Sequence, residues 1–283
     1  MLDTCRYLEK TGAEITYLPV NTEGLIDLAE LENAIRPDTI LISIMFANNE
    51  TGVLQPVKEI GAIAKKHNVI FFTDATQATG KVPVNVRDLG IDLLALSAHK
   101  MYGPKGVGAL YIRRRDPRVK LVAQLHGGGH ERGNRSGTLN VPGIVGLGKA
   151  CQLGAVEMMQ DAQRLAALRD KLEQALLGLG NSQVNGAGAP RLPQTTNLSF
   201  RRVESQVMMM GFSAELAISS GSACSSATLE PSHVLRAMGL SDELALSSVR
   251  FGLGRFTTGL EIDRTIAIIS AAVNKIRQPQ ALS

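Results

Sequence analysis

The chain has 283 residues, 44% of them hydrophobic and 20% charged, an ordinary globular balance with enough length for one large domain or two smaller ones. A formal net charge of +4 over that length is weak support for nucleic acid, and the absence of Trp and of aromatics interleaved with Arg113-Arg114-Arg115 removes the usual stacking platforms. Three distant cysteines, Cys5, Cys151 and Cys224, cannot build a disulfide framework or a CxxC metal pair, and no apolar run is long enough to span a bilayer. The start lacks the layout of a signal peptide, so a reducing, cytoplasmic setting is expected.

In the first half, helical spacing of apolar residues is expected over residues 1–11, 28–35 and 56–67. Pro56 suits a first helical turn, where its missing N–H costs nothing. Short apolar runs rich in branched residues mark strands at 14–18, 39–46, 69–72, 91–96 and 107–112. Such alternation implies parallel strands with crossover helices, hence a layered α/β domain. Arg113-Arg114-Arg115 then reads as a solvated strand end. From about Val141 a long helical stretch runs to about residue 179, with a charged face at Asp161, Arg164, Arg169, Asp170 and Lys171. A Gly/Pro/Asn-rich connection over 185–190 follows it. Strand-like 196–200, helical 205–212 and 232–238, strand-like 248–253 and a last helix near 261–276 complete a smaller α+β part. The expected division is a larger domain over residues 1–155 and a smaller one over 156–283, joined through the long helix. The chain opens inside a helix-like pattern with no preceding strand and no clear cap, which suggests a segment missing in front.

The chemistry-bearing residues cluster after strand-like runs. Asp74 follows the run 69–73, and Lys100 follows another in Ser97-Ala98-His99-Lys100-Met101-Tyr102-Gly103-Pro104-Lys105-Gly106. Ligand sites of α/β sheets lie just beyond the carboxyl ends of strands. A lysine and a carboxylate delivered there suit pyridoxal phosphate, the amine forming a Schiff base and the carboxylate keeping the pyridine nitrogen protonated. Cys224 sits among small residues in Ser219-Ser220-Gly221-Ser222-Ala223-Cys224-Ser225-Ser226-Ala227, either a nucleophile on a swinging loop or an incidental thiol in a turn. His126 and His130 have helical metal-pair spacing, but three intervening glycines argue against a helix and against zinc. That glycine loop, running on through Arg135-Ser136-Gly137-Thr138, better suits contacts to an anion such as phosphate. Asn48-Asn49-Glu50-Thr51-Gly52 either fixes a ligand through its amides or forms a turn. Arg250, a cation inside an apolar run, asks for a substrate carboxylate or a protein one.

In this order and context, the segments resemble the cysteine desulfurases, the nitrogen-fixation and iron–sulfur-cluster type among class-V aminotransferases and fold-type I pyridoxal-phosphate enzymes. The resemblance covers essentially the whole chain. It implies an aspartate-aminotransferase-like fold with a mainly parallel large-domain sheet. It also implies pyridoxal phosphate as cofactor, with Lys100 as the Schiff-base residue and general base, and Asp74 and Gln77 on the pyridine nitrogen and ring oxygen. Asn49 would lie near ring and substrate, Ser97 and His99 would make further phosphate and cofactor contacts, and Thr138 would reach the phosphate of a partner subunit in a homodimer. Arg250 would take the substrate carboxylate, and Cys224 would carry a persulfide formed from L-cysteine, with L-alanine released. An iron–sulfur scaffold or another sulfur acceptor would receive that sulfur, Cys224 transiently touching a nascent cluster; no resident metal, membrane or nucleic acid is implied. The family's Gly-Ala-Thr phosphate turn and ring-stacking histidine have no counterpart, which fits a shortened N-terminus. The competing expectations are a truncated, non-catalytic homologue acting by dimerisation or partner binding, and a selenocysteine lyase-like enzyme.

Overall fold

A computed structural model describes residues 1–212, 215–219 and 230–278, and these fold around two sheets. The first has four strands in the order β1 (Leu41–Ser43), β2 (Ile70–Asp74), β3 (Leu93–Ser97) and β4 (Gly108–Ile112). The first three are parallel, with Ile42 opposite Phe71 and Thr73 opposite Leu94, whereas β4 runs antiparallel to β3. The reversal follows from the connection: residues 98–107 hold only a single 3₁₀ turn, and a parallel return needs a longer crossover. The helices of this half are α1 (Leu2–Glu9), α2 (Leu28–Asn33) and α3 (Val57–Lys66).

Helix α3 shows why these residues fold as they do. Val57, Ile60, Gly61 and Ala64 repeat at helical spacing and are buried, packing on Ile42, Phe71 and Ile91. Pro56 precedes the helix as its N-cap residue, one place before the first turn in which it was expected. Gly61 is required by a close approach: a Cβ there would lie 2.1 Å from the Leu89 carbonyl oxygen. At its far end Lys66 and His67 reach Glu32 of α2 at 2.5 and 2.7 Å. The hydrogen bond from His67, and then that from Lys66, hold the Glu32 carboxyl below its ordinary value.

Two sequence expectations fail here. Residues 14–18 form no strand; the nearest pairing is an isolated bridge between Val20 and Ile26, because a branched, alternating run without a neighbouring strand has nothing to bond to. Arg113 is not a solvated strand end. Its Nε lies 2.8 Å from Asp92 Oδ1, with side-chain exposures of 16% and 8%, and its Nη2 donates to the carbonyls of Val86 and Ile91.

The second sheet is antiparallel, in the order β5 (Ser182–Val184), β6 (Thr195–Phe200) and β7 (Ser248–Gly252), with every residue of β6 buried. Around it lie α4 (Val141–Leu177), α5 (Ser205–Met210), α6 (His233–Ala237), α7 (Asp242–Leu246) and α8 (Gly259–Arg277). Strand β5 and helix α7 are additions to the sequence reading. Leu165, Leu172 and Leu176 of α4 share a core with Leu198, Phe200, Val249, Phe251, Ile262 and Ile269. Within this apolar layer Asn197 and Ser199 of β6 are satisfied: Asn185 Nδ2 donates to both, and Ser199 pairs with Ser248 at 2.7 Å.

Helix α4 serves both halves. Its C-terminal part belongs to the second core, while Leu147 and Ala150, nearer its start, pack on Ala98 and Met101 of the 3₁₀ turn after β3. Along its outer side it leaves Val141, Ile144, Val145, Val156 and Met159 exposed. No described helix is long and apolar enough to cross a membrane.

Candidate active site

The three parallel strands release their chains at one edge of the first sheet, and most of the candidate residues emerge there. β2 ends at Asp74, whose Cα partner on β3 is Ala95, two residues before Ser97 at that strand's end. Beyond Ser97 the chain turns at once into the 3₁₀ helix Ala98–Met101, which carries His99 and Lys100. Ala98 and Met101 face inward and are buried, so His99 and Lys100 are turned outward and exposed. Gly103 lets this turn sit tightly: a Cβ there would be 2.9 Å from Ala98 Cβ and 3.2 Å from Ala150 Cβ of α4. Ser97 Oγ lies 2.8 Å from His99 Nδ1, which fixes the imidazole against the strand end.

Asp74 accepts a 2.9 Å bond from the Thr76 amide on Oδ1, and among the described residues it has no cationic partner. Gln77 follows within a short turn anchored by the buried alanines 75 and 78, and is half-buried. The chain leaving β1 runs alongside, its Phe46 amide donating to the Asp74 carbonyl. That brings Asn49 to the same edge, held by a tight turn in which Asn48 Oδ1 accepts from the amides of Glu50 and Thr51 at 2.8 and 3.0 Å. The segment is thus a turn, and it also presents Asn49, which is exposed.

Arg250 reaches this edge from the second sheet. Its Nη1 donates to the Asn49 carbonyl at 2.8 Å, across 201 positions of sequence, and no described carboxylate pairs with it. Of the two partners expected for a cation in an apolar run, the protein carboxylate is therefore not found among the described residues. Thr138 is exposed at the end of the glycine loop, where Ser136 is buried and its amide donates to the Leu125 carbonyl. Cys224 lies outside the described residues. The flanks of its segment do not: Ser219 forms a bridge with Arg250, and Ser232 Oγ donates to Glu50 Oε2 at 2.5 Å.

Several participants were not legible in the sequence. Glu50 is 1% exposed, and its carboxylate ties the start of α6 to the Asn49 turn. Tyr102, two residues after Lys100, accepts from the Arg255 amide on its hydroxyl at 2.7 Å. The Arg255 guanidinium lies 4.9 Å from the Tyr102 ring centroid and the Lys81 amine 4.1 Å from it. The Glu50–Ser232 and Tyr102–Arg255 partnerships join residues more than 150 positions apart, so spacing carries no signal for them.

The donor set fits pyridoxal phosphate. Lys100 offers an exposed amine for a carbonyl and has no ion pair among the described residues, and Asp74 offers a carboxylate free of cations from the adjacent strand. Gln77, Ser97 and His99 add an amide, a hydroxyl and an imidazole at the same rim.

Comparisons with known proteins identify the family. The family described as aminotransferase class-V matches residues 3–265. A cysteine desulfurase IscS from Anaeromyxobacter sp. (strain Fw109-5) is 55% identical over 283 residues, which is 100% of this chain and 70% of that protein. A solved NifS-like protein superposes with a TM-score of 0.87 at 36% identity, covering 97% of this chain and 72% of its own. Another, a structure of SspA in complex with cysteine, gives 0.75 at 39% identity, covering 91% and 71%. The chain belongs to the class-V aminotransferase family of fold-type I pyridoxal-phosphate enzymes, in its cysteine desulfurase branch.

Proposed function

We propose that this chain takes L-cysteine, removes its sulfur onto Cys224 as a persulfide and releases L-alanine. The observation that carries this reading is the meeting of Asn49, Asp74, Lys100 and an Arg250 without a described carboxylate at one sheet edge, beside both flanks of the Cys224 segment. Pyridoxal phosphate, bound through Lys100, supplies the sink for electrons leaving the substrate α-carbon. Asp74 would hold a proton on the pyridine nitrogen, Gln77 would meet the ring oxygen, and Ser97 and His99 would contact the phosphate and ring, with Thr138 reaching the phosphate of a partner subunit. Arg250 takes the substrate carboxylate in its guanidinium fork, with Asn49 alongside. Displaced from the cofactor by the substrate amine, the freed Lys100 amine would take the α-proton as general base and later return one to carbon. The Cys224 thiolate attacks the substrate sulfur; an S–S bond forms, the C–S bond breaks, and its electron pair stays with the substrate carbon, which is protonated on the way to alanine.

Exposure of Thr138 and of the apolar face at Val141, Ile144 and Val145 supports a homodimer in which the glycine loop reaches a second subunit. Residues 1–155 would then form the cofactor domain and 156–283 the smaller one. The persulfide would pass to an iron–sulfur scaffold or another sulfur acceptor in the cytoplasm.

The test is direct. Protein incubated with pyridoxal phosphate should show a visible absorption band and produce sulfide from cysteine. Lys100→Ala should abolish both, while Cys224→Ala should keep the band and lose at least 100-fold in sulfide production. A band that survives Lys100→Ala removes the lysine assignment.

A further inference from the structure

We infer that Tyr102 is a positioning residue that joins the lysine turn to the strand bearing Arg250, and so sets where the substrate carboxylate is held relative to Lys100. The inference rests on the roles given above to Lys100 and Arg250.

The joint is built from four elements. Tyr102 closes the 3₁₀ turn that carries Lys100, and it does so with φ of +66° and ψ of 15°. For a bulky side chain that left-handed conformation costs free energy and persists only where surrounding contacts over-determine it. The contacts are present. The Tyr102 hydroxyl accepts from the Arg255 amide at 2.7 Å, five residues after Arg250 on the same run of chain. The Arg255 guanidinium, 4.9 Å from the ring centroid, adds a cation–π attraction, as does Lys81 at 4.1 Å. Arg255 is in turn fixed to α4: its Nη1 lies 2.7 Å from Glu157 Oε2 and its Nε 2.7 Å from Asp161 Oδ2, with Arg255 18% exposed at the side chain. Arg164 of the same helix donates to the carbonyls of Arg255 and Thr257, and Gly254 donates to Thr257 Oγ1.

Each half of the site is therefore clamped at this point. On one side the 3₁₀ turn is pressed against α4 through Gly103 and Ala150. On the other, the chain leaving β7 is pinned to α4 through Arg255. The Tyr102 hydroxyl is the direct polar link between the two. Without it the turn and the strand remain attached to α4 separately, and the gap between Lys100 and Arg250 gains freedom. A carboxylate bound by Arg250 would then be presented to Lys100 over a wider range of positions. Binding should suffer first, because the guanidinium and the amine themselves are untouched.

Tyr102→Phe removes the acceptor and keeps the ring, the left-handed backbone and both cation contacts. In cofactor-free protein, hydrogen exchange followed by peptide mass should quicken over residues 253–257, where the Arg255 amide loses its partner. In protein loaded with pyridoxal phosphate, KM for L-cysteine should rise about three- to tenfold, the weight of one neutral hydrogen bond, with kcat within twofold and the visible band intact. Arg255→Lys, which keeps the backbone donor, should leave exchange at that amide closer to wild type than Tyr102→Phe does. Unchanged exchange over 253–257 overturns the joint. Unchanged KM with faster exchange overturns the positioning role, as does an equal fall in kcat and band intensity, which marks general damage to the lysine turn. If wild type itself gives neither band nor sulfide, the desulfurase reading fails and with it the positioning role, while the exchange comparison still decides whether the joint exists.

Discussion

Arg113 runs along the carbonyls of Val86 and Ile91 and ends on Asp92, whose other oxygen accepts from the Phe71 amide. One guanidinium thereby stitches the loop before β3 to the end of β4. Removing it would leave Asp92 buried without its counter-charge, the expensive half of breaking a buried pair. Arg113→Ala should destabilise the protein by about 3 kcal/mol in denaturant unfolding, against near zero for Arg114→Ala at an exposed position. A loss below 1 kcal/mol at Arg113 would show the pair to be idle. The sequence offered no means of separating these three arginines, since burial of the first depends on Asp92 and on a loop whose course is set by β3. The places of Lys100, Asp74 and Arg250, though not their roles, were legible for the opposite reason. Each stands immediately after or within a strand-like run, so local pattern alone carries it to a sheet edge.

At the scale of elements, Gly61 in α3 sets two effects against each other. Alanine is the better helix former by about 0.8 kcal/mol, so propensity favours Gly61→Ala. Its Cβ would lie 2.1 Å from the Leu89 carbonyl oxygen, backbone that moves only with its whole loop. Overpacking of that kind costs about 1–3 kcal/mol, so packing wins and the variant should unfold at lower temperature than wild type. A higher midpoint would mean that the loop yields freely. Helices α3, α4 and α8 were readable because their apolar spacing runs for ten residues or more; the caps that start two of them, Asn140 for α4 and the Thr258–Glu261 capping box for α8, are seen only in the structure. Strand β5 has three residues and α7 has five, too short for a period to show. The misread run at 14–18 carries a genuine strand pattern, and only the absence of a neighbouring strand decides against it. The antiparallel turn of β4 was likewise set by the brevity of residues 98–107.

For the whole molecule, the exposed residues Val141, Ile144, Val145, Val156 and Met159 put an apolar face on α4 that a single chain leaves in water. If a second subunit covers it, Val145→Asp should place a charge in that interface and shift the protein toward chain mass in size-exclusion chromatography with light scattering. Wild type eluting at chain mass at micromolar concentration would rule out the homodimer. The change of texture near Val141 suggested two parts, but the sequence carried no sign that α4 packs in both apolar clusters, because a helix pattern does not say what packs on it. That sharing limits how the chain can change length. Ala150 packs against the lysine turn and Leu165 lies in the second core, about 22 Å apart along one unbroken helix. One residue added or removed between them would shift everything beyond by about 1.5 Å and rotate it by about 100°, turning the Arg255-binding carboxylates away from the turn they align with. Substitutions can accumulate on the outer face of this stretch, but insertions and deletions cannot: the helix preserves phase as well as distance.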